Sequence, residues 1–267
     1  MEEIMTIPLY QADAFTSKPF RGNPAAVVML SEKMPDLWMQ SVAKEMNLSE
    51  TAFLLRHHDG YSLRWFTPKM EVTLCGHATL ASAHILYEKG YLQPKEESLF
   101  LTASGRLSAR AVDGWIELNF PALSLTPVMV TDETTQALGF KPKEAFETDV
   151  NLLVEIDKPE DVEKYVPNFL KLAKLPFQGL IITARGIDNK FDFVSRYFAP
   201  QVGINEDPVT GSAHCSLAPY WASKLNKQEF FAYQASERGG ILKVKLEHDR
   251  VLLQGQAVTI FSGSLEA

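Results

Sequence analysis

Glu50, His77 and Asp207 are the side chains whose surroundings in this sequence point most directly to proton chemistry. Glu50 stands just before Thr51-Ala52, where a strand reads as beginning. A carboxylate partly buried there has a raised pKa and suits general acid–base work. The plain alternative is an exposed acid at a strand edge. His77 follows Gly76 at the start of an apolar helical pattern. A helix start offers unpaired backbone N–H groups to anions such as carboxylates. It also lowers the pKa of a histidine, favouring neutral imidazole as donor or base; a packed histidine is the alternative. Asp207 lies in Glu206-Asp207-Pro208, ahead of Val209-Thr210-Gly211-Ser212. It is placed to orient a substrate amine or a catalytic partner, or simply to make an Asp-Pro turn. Gly76 and Gly211 each open a helix, and Ser212 adds a hydroxyl to the second start.

These residues fall into an internal repeat. Arg64-Trp65-Phe66-Thr67-Pro68 returns 132 residues later as Arg196-Tyr197-Phe198-Ala199-Pro200. At the same spacing Leu48, Thr51 and Ala52 meet Leu180, Thr183 and Ala184, which sets Ile182 opposite Glu50. Gly76-His77-Ala78 returns as Gly211-Ser212-Ala213, and Gly105, Leu107, Ile116 and Leu118 face Gly240, Leu242, Val251 and Leu253, all at 135. The spacing grows by three between Pro200 and Gly211, which places Asp207 within an insertion. A fixed period of half the chain reads as two copies of one unit. A ligand cleft is expected between such halves. Chemistry then needs positions where the copies differ, and Glu50, His77 and Asp207 are such positions.

Each copy reads alike: strands over 51–55 and 61–66, a loop with proline, a helix over 77–88, then strands over 106–112 and 115–120 around Asp113-Gly114. That dipeptide is a strong tight-hairpin signal. The second copy runs through strands near Leu180 and Phe193, a helix over 212–225, and strands over 241–246 and 251–253 around His248-Asp249. Strands outnumber helices, and each copy has one notably apolar helix that needs cover on most sides. The expectation is an α+β fold of two similar domains, each a curved sheet wrapped around a central helix. The domains are expected at 1–122 and 123–256, with the tail at 257–267 (a strand over 258–261) returning to the first.

The chain has 267 residues, a net charge of −7, 46% apolar and 22% charged residues. That composition is ordinary for a globular protein. The acidic balance argues against a nucleic-acid or anionic-membrane surface. No apolar run reaches membrane-helix length, and acids near the N-terminus replace the basic residues of a secretory signal. A cytoplasmic, reduced protein is expected.

Cys75 and Cys215 are the two cysteines. Two facing thiols of an epimerase would need equivalent positions, but the counterpart of Cys75 is Thr210. Cys75 beside a helix start is either reactive or structural, and Cys215 suits a small buried site. No metal or cofactor site is expected. His57-His58-Asp59-Gly60 reads as a solvated turn. Arg238-Gly239-Gly240 serves a backbone–anion contact or a strand entry. Gly22-Asn23-Pro24 lacks a counterpart and forms a turn or, at Asn23, a wall of the substrate site.

Gly22-Asn23-Pro24-Ala25-Ala26-Val27, Leu48-Ser49-Glu50-Thr51-Ala52-Phe53, Leu74-Cys75-Gly76-His77-Ala78-Thr79 and Glu206-Asp207-Pro208-Val209-Thr210-Gly211-Ser212-Ala213 together resemble the phenazine-biosynthesis (PhzF-like) isomerase family. Their order and spacing match over essentially the whole chain. The resemblance implies the diaminopimelate-epimerase-like fold and an isomerase without cofactor or metal. In the phenazine enzyme a glutamate, matched by Glu50, moves a proton on a dihydro-hydroxyanthranilate. His77, Asp207 and Ser212 match its substrate-contacting residues. A small carboxylate substrate and a homodimer are further implications. The other readings are a one-thiol racemase or epimerase built on Cys75, and a non-catalytic small-molecule-binding protein.

Overall fold

The computed structural model describes residues 6–186 and 190–266. The chain divides into two compact units, Met1–Asn119 with Gln254–Ala267, and Phe120–Leu253. Among the described residues no helix is long and apolar enough to cross a membrane.

The first unit runs β1 (Thr6–Ala14), β2 (Asn23–Leu30), α1 (Asp36–Met46), β3 (Glu50–His57), β4 (Gly60–Phe66), β5 (Glu71–Val72), α2 (Gly76–Glu88), β6 (Ser98–Thr102), β7 (Gly105–Val112) and β8 (Trp115–Pro121). The second runs β9 (Thr126–Pro127), α3 (Asp132–Leu138), β10 (Glu144–Thr148), β11 (Asn151–Glu155), α4 (Pro159–Lys164), α5 (Phe169–Leu172), β12 (Gly179–Arg185), β13 (Phe193–Ala199), β14 (Ile204–Asp207), α6 (Gly211–Leu225), β15 (Glu229–Gln234), β16 (Gly240–Glu247) and β17 (Arg250–Gly255). The final strand β18 (Ala257–Glu266) pairs antiparallel along β1.

In the first unit the order is β18-β1-β2-β3-β4-β6-β7-β8, with β2–β3 and β4–β6 parallel. In the second, β10-β11-β12-β13-β15-β16 repeats that alternation, with β11–β12 and β13–β15 parallel. The two parallel steps fall in the same places, so the repeat read from the sequence is a repeat of topology.

Helix α2 is covered by β1, β2, β3, β7 and β18. Ten of its 13 residues are buried. A helix enclosed this far is apolar on nearly every side. Its buried hydroxyls turn inward on its own backbone: Thr79 Oγ1 donates to Cys75 O (2.5 Å) and Ser82 Oγ to Ala78 O (2.7 Å), which satisfies them without a partner element. The other face of the sheet is buried too. Ala26, Val28 and Leu30 of β2 and Phe53 of β3 pack with Met39 and Ala43 of α1. A strand covered on both faces is apolar without alternation, as Ala25-Ala26-Val27-Val28-Met29-Leu30 is.

In the second unit Trp221 of α6 stacks on Phe193 of β13 (5.7 Å between centroids) and donates from Nε1 to Thr183 Oγ1 (3.0 Å). Pro219 lies inside α6 and has no N–H for the carbonyl four residues back. That carbonyl, on Cys215, accepts instead from Leu123 N (3.0 Å). The turn at Asp113-Gly114 has positive φ at both residues (50° and 78°), the geometry that dipeptide favours.

Pairing register corrects two details of the repeat. Phe66 pairs with Thr51, whereas its counterpart Phe198 pairs with Leu180. The true counterpart of Glu50 is therefore Gly179, not Ile182, and the matches at Leu48, Thr51 and Ala52 are coincidental. Three more residues separate the paired positions in the second unit than in the first. Asp207 does not lie in an insertion. Trp65 pairs with Val72 and Tyr197 with Asp207, so Val72 is its counterpart. Arg64 grips Glu71 with two bonds (2.6 and 2.7 Å), and Arg196 grips Glu206 in the same way (2.7 and 2.9 Å). The three extra residues of that region sit earlier, around the short 3-10 turn Pro200–Val202.

Candidate active site

Two strands and a helix bring the first unit's candidates together. Ala25 of β2 lies beside Glu50 in parallel register, so Asn23 and Glu50 begin neighbouring strands at one end of the sheet. Gly22 ahead of them has φ +64°, and a Cβ there would lie 2.1 Å from Ala14 O. Only glycine fits. Asn23 is fully buried, and Glu50 is 8% exposed.

Helix α2 starts at Gly76 with Cys75 as its N-cap, and the cysteine side chain makes no capping bond. The first-turn amides thus keep the anion-binding potential of an uncapped helix start. His77 stands in that turn, 4% exposed. Its Nε2 lies 3.2 Å from Glu50 Oε2, and its Nδ1 lies 3.5 Å from Cys75 Sγ. Burial pushes the His77 pKa down to about 3, so the ring is neutral near pH 7. With its proton on Nε2, facing the carboxylate, Nδ1 is free to accept from the thiol. Carboxylate, imidazole and thiol therefore lie together in one buried cluster.

The second unit holds Asp207, Gly211 and Ser212 on one loop and helix start. Asp207 is 7% exposed, and its Oδ2 accepts from Thr210 Oγ1 (2.5 Å). Thr210 N donates to Gln234 Oε1 (2.8 Å), and Gln234 Nε2 donates to Asp207 O (2.8 Å). Thr210 is the N-cap of α6 yet does not cap it with its side chain. Gly211 is buried and Ser212 exposed in the first turn. His214, one turn in, is fully buried; its Nδ1 lies 2.8 Å from Thr210 O, and burial pushes its pKa down to about 4.

Gln234 was not anticipated from sequence, and no motif there marks it. Ser236 was also missed, and the spacing of 135 sets Gly239 rather than Ser236 against Ser104. Ser104 Oγ donates to Thr73 O and Ser236 Oγ to Pro208 O, holding the loop before each helix in the same way (2.8 and 2.7 Å). Asp13 is a third unanticipated residue: fully buried in β1, it accepts from Phe20 N (2.7 Å) and so braces the loop leading to Asn23. The His57-His58 region is an exposed turn, with His58 Nδ1 beside Asp59 (2.7 Å). Cys215 is buried, and burial pushes its thiol pKa up to about 12, as an inert structural thiol requires.

Residues 12–263 match the PhzC-PhzF family, described as phenazine biosynthesis-like protein. A protein of Halalkalibacterium halodurans named as an uncharacterised isomerase is 52% identical, with 98% of this chain and 99% of the relative covered. A crystal structure of a PhzF-family protein from Enterococcus faecalis superposes with a TM-score of 0.94 at 41% identity, covering 98% of this chain and 100% of the other. A hydroxyproline epimerase from Agrobacterium vitis shares the fold at 12% identity (TM-score 0.67, covering 100% and 95%). With named isomerases among its relatives and a sheet-dominated α+β fold common to epimerases, this chain belongs to the PhzC-PhzF family of phenazine biosynthesis-like proteins.

Proposed function

We propose that the protein is a cofactor-independent isomerase that moves a proton on a small carboxylate substrate. Glu50 takes the proton from carbon and returns it at another position as general acid. The backbone N–H groups at the Gly76 helix start hold the substrate carboxylate. His77, neutral and beside Glu50, orients the substrate and stabilises developing charge, and Asn23 walls the site. In the second unit Asp207, Ser212 and the Gly211 helix start offer an anionic or polar ligand the same kinds of contact. The observation that carries this reading is the 3.2 Å approach of a buried carboxylate to a neutral imidazole at an uncapped helix start.

The test is proton exchange in D2O followed by NMR, with a dihydro-hydroxyanthranilate and a panel of small amino and hydroxy acids. Deuterium entering carbon, or a shifted double bond, is expected with the wild type and not with Glu50→Gln. Equal turnover by that variant would sink the mechanism. A second reading has support in the 3.5 Å contact between Cys75 Sγ and His77 Nδ1. In it the thiol is the proton carrier of a one-thiol racemase or epimerase. Cys75→Ser separates the two, being nearly harmless if Glu50 is the base and severe if the thiol is.

A further inference from the structure

Glu50, Cys75 and His77 offer three kinds of metal-binding atom in one buried place. A carboxylate oxygen, a thiol sulfur and a ring nitrogen all lie within 4.8 Å of one another. Tetrahedral zinc, with bonds of about 2.0 Å to nitrogen or oxygen and about 2.3 Å to sulfur, holds neighbouring ligand atoms roughly 3.3–3.8 Å apart. The two observed approaches, 3.5 Å from sulfur to Nδ1 and 3.2 Å from Nε2 to carboxylate, are already near that spacing. One cation takes only one ring nitrogen, so the third ligand must move in by on the order of 1 Å, a side-chain adjustment. Thiolate with imidazole and carboxylate suits zinc-class ions and not magnesium or calcium, which favour oxygen throughout.

We infer that Glu50, Cys75 and His77 form an inhibitory site for a divalent cation of the zinc class. Binding displaces the Cys75 proton to solvent and ties up the Glu50 carboxylate. Three protein ligands leave a fourth position for water. The inhibitory consequence rests on Glu50 being the base; the binding itself does not.

The experiment is titration of untagged, chelator-treated protein with cobalt(II) under nitrogen, read by absorption. One equivalent is expected to bind, with visible bands of a tetrahedral ion and a near-ultraviolet band of thiolate bound to cobalt. Zinc should bleach both stoichiometrically. Cys75→Ser should lose the near-ultraviolet band, Glu50→Gln should bind at least about tenfold more weakly, and Cys215→Ala should match the wild type. Deuterium exchange by the wild type should fall in proportion to the zinc bound. The site is refuted if no saturable cobalt spectrum forms, or if the spectrum survives Cys75→Ser unchanged. Zinc binding with undiminished exchange would overturn the inhibition. The cobalt spectrum needs no substrate, so a protein without exchange that still gives it separates failure of the isomerase reading from failure of the metal site.

Discussion

Acid should weaken this protein through His214 in a way that a single substitution can isolate. The ring is fully buried in α6, and burial lowers its pKa from 6.5 to about 4. The unfolded chain therefore takes up a proton that the folded protein refuses. Stability from this group is fully present above about pH 7. It is lost as pH falls from about 6.5 towards about 4, and the loss then levels off. At pH 5 an ordinary imidazole is protonated roughly 30-fold more than it is free, whereas the folded ring is still largely neutral. The difference amounts to about 2 kcal/mol against pH 7.5, a large part of a typical stability of about 5–15 kcal/mol. His214→Asn removes the titration while leaving a side-chain donor for Thr210 O. It forfeits the ring's packing near Phe193 (5.9 Å), at a cost of about 1–3 kcal/mol at pH 7.5. Urea unfolding of both proteins at pH 7.5 and pH 5 is the assay. The wild type should lose about 2 kcal/mol more than the variant between the two pH values. Every other titrating group is common to both and cancels. An equal loss in the two proteins would refute the claim that His214 is held neutral by burial.

Four other outcomes follow from the packing. Gly179→Ala should destabilise by roughly 2–4 kcal/mol in urea unfolding, because the new Cβ would lie 2.4 Å from both Asn151 Oδ1 and Tyr197 OH. Trp221→Phe keeps the stack on Phe193 but leaves Thr183 Oγ1 without its donor, and should cost about 1–2 kcal/mol by the same measurement. Ser104→Ala and Ser236→Ala should each cost about 1 kcal/mol, with hydrogen exchange rising at the loops before α2 and α6 respectively. Leu123→Pro removes the donor that serves the Cys215 carbonyl, and should lower thermal stability by an amount matching about 1–3 kcal/mol.

The features legible in the sequence are those with a repeated physical cause. Arg-aromatic-Phe-x-Pro recurs because each arginine makes the same two-bond grip on a glutamate of the next short strand, Glu71 or Glu206. Gly-x-Ala recurs because each copy opens its central helix there. The hairpin at Asp113-Gly114 was legible because both residues must take positive φ. What misled was a match of residue types without a match of register. Thr51 and Thr183 look equivalent, yet Thr51 faces Phe66 across the sheet and Thr183 faces Ser195. The short helices α3, α4 and α5, of 7, 6 and 4 residues, give too few turns for a periodic signal. Gln234 and Asp13 were invisible for another reason. Each acts through backbone groups outside any regular element it belongs to, Thr210 and Asp207 for Gln234 and the loop residue Phe20 for Asp13, and such contacts leave no pattern of spacing.

Register also explains why the acid occurs in one copy. In the first unit Glu50 has Ala25 beside it on the parallel strand, and Trp65 stands where the second unit has Tyr197. In the second unit the place of Ala25 is taken by Asn151, and Tyr197 OH donates to its Oδ1 (3.0 Å). Those two polar atoms occupy the space into which any side chain at Gly179 would grow. An acid cannot be moved to the second copy by one change, because its Cβ would collide with a hydrogen bond that the fold already uses. Three positions must differ together: a small residue beside the acid, an aromatic without a hydroxyl on the adjacent strand, paired two residues further along, and the acid itself. Duplication supplies two equivalent frames, and the side chains around β3 and β12 decide which frame can hold a buried carboxylate.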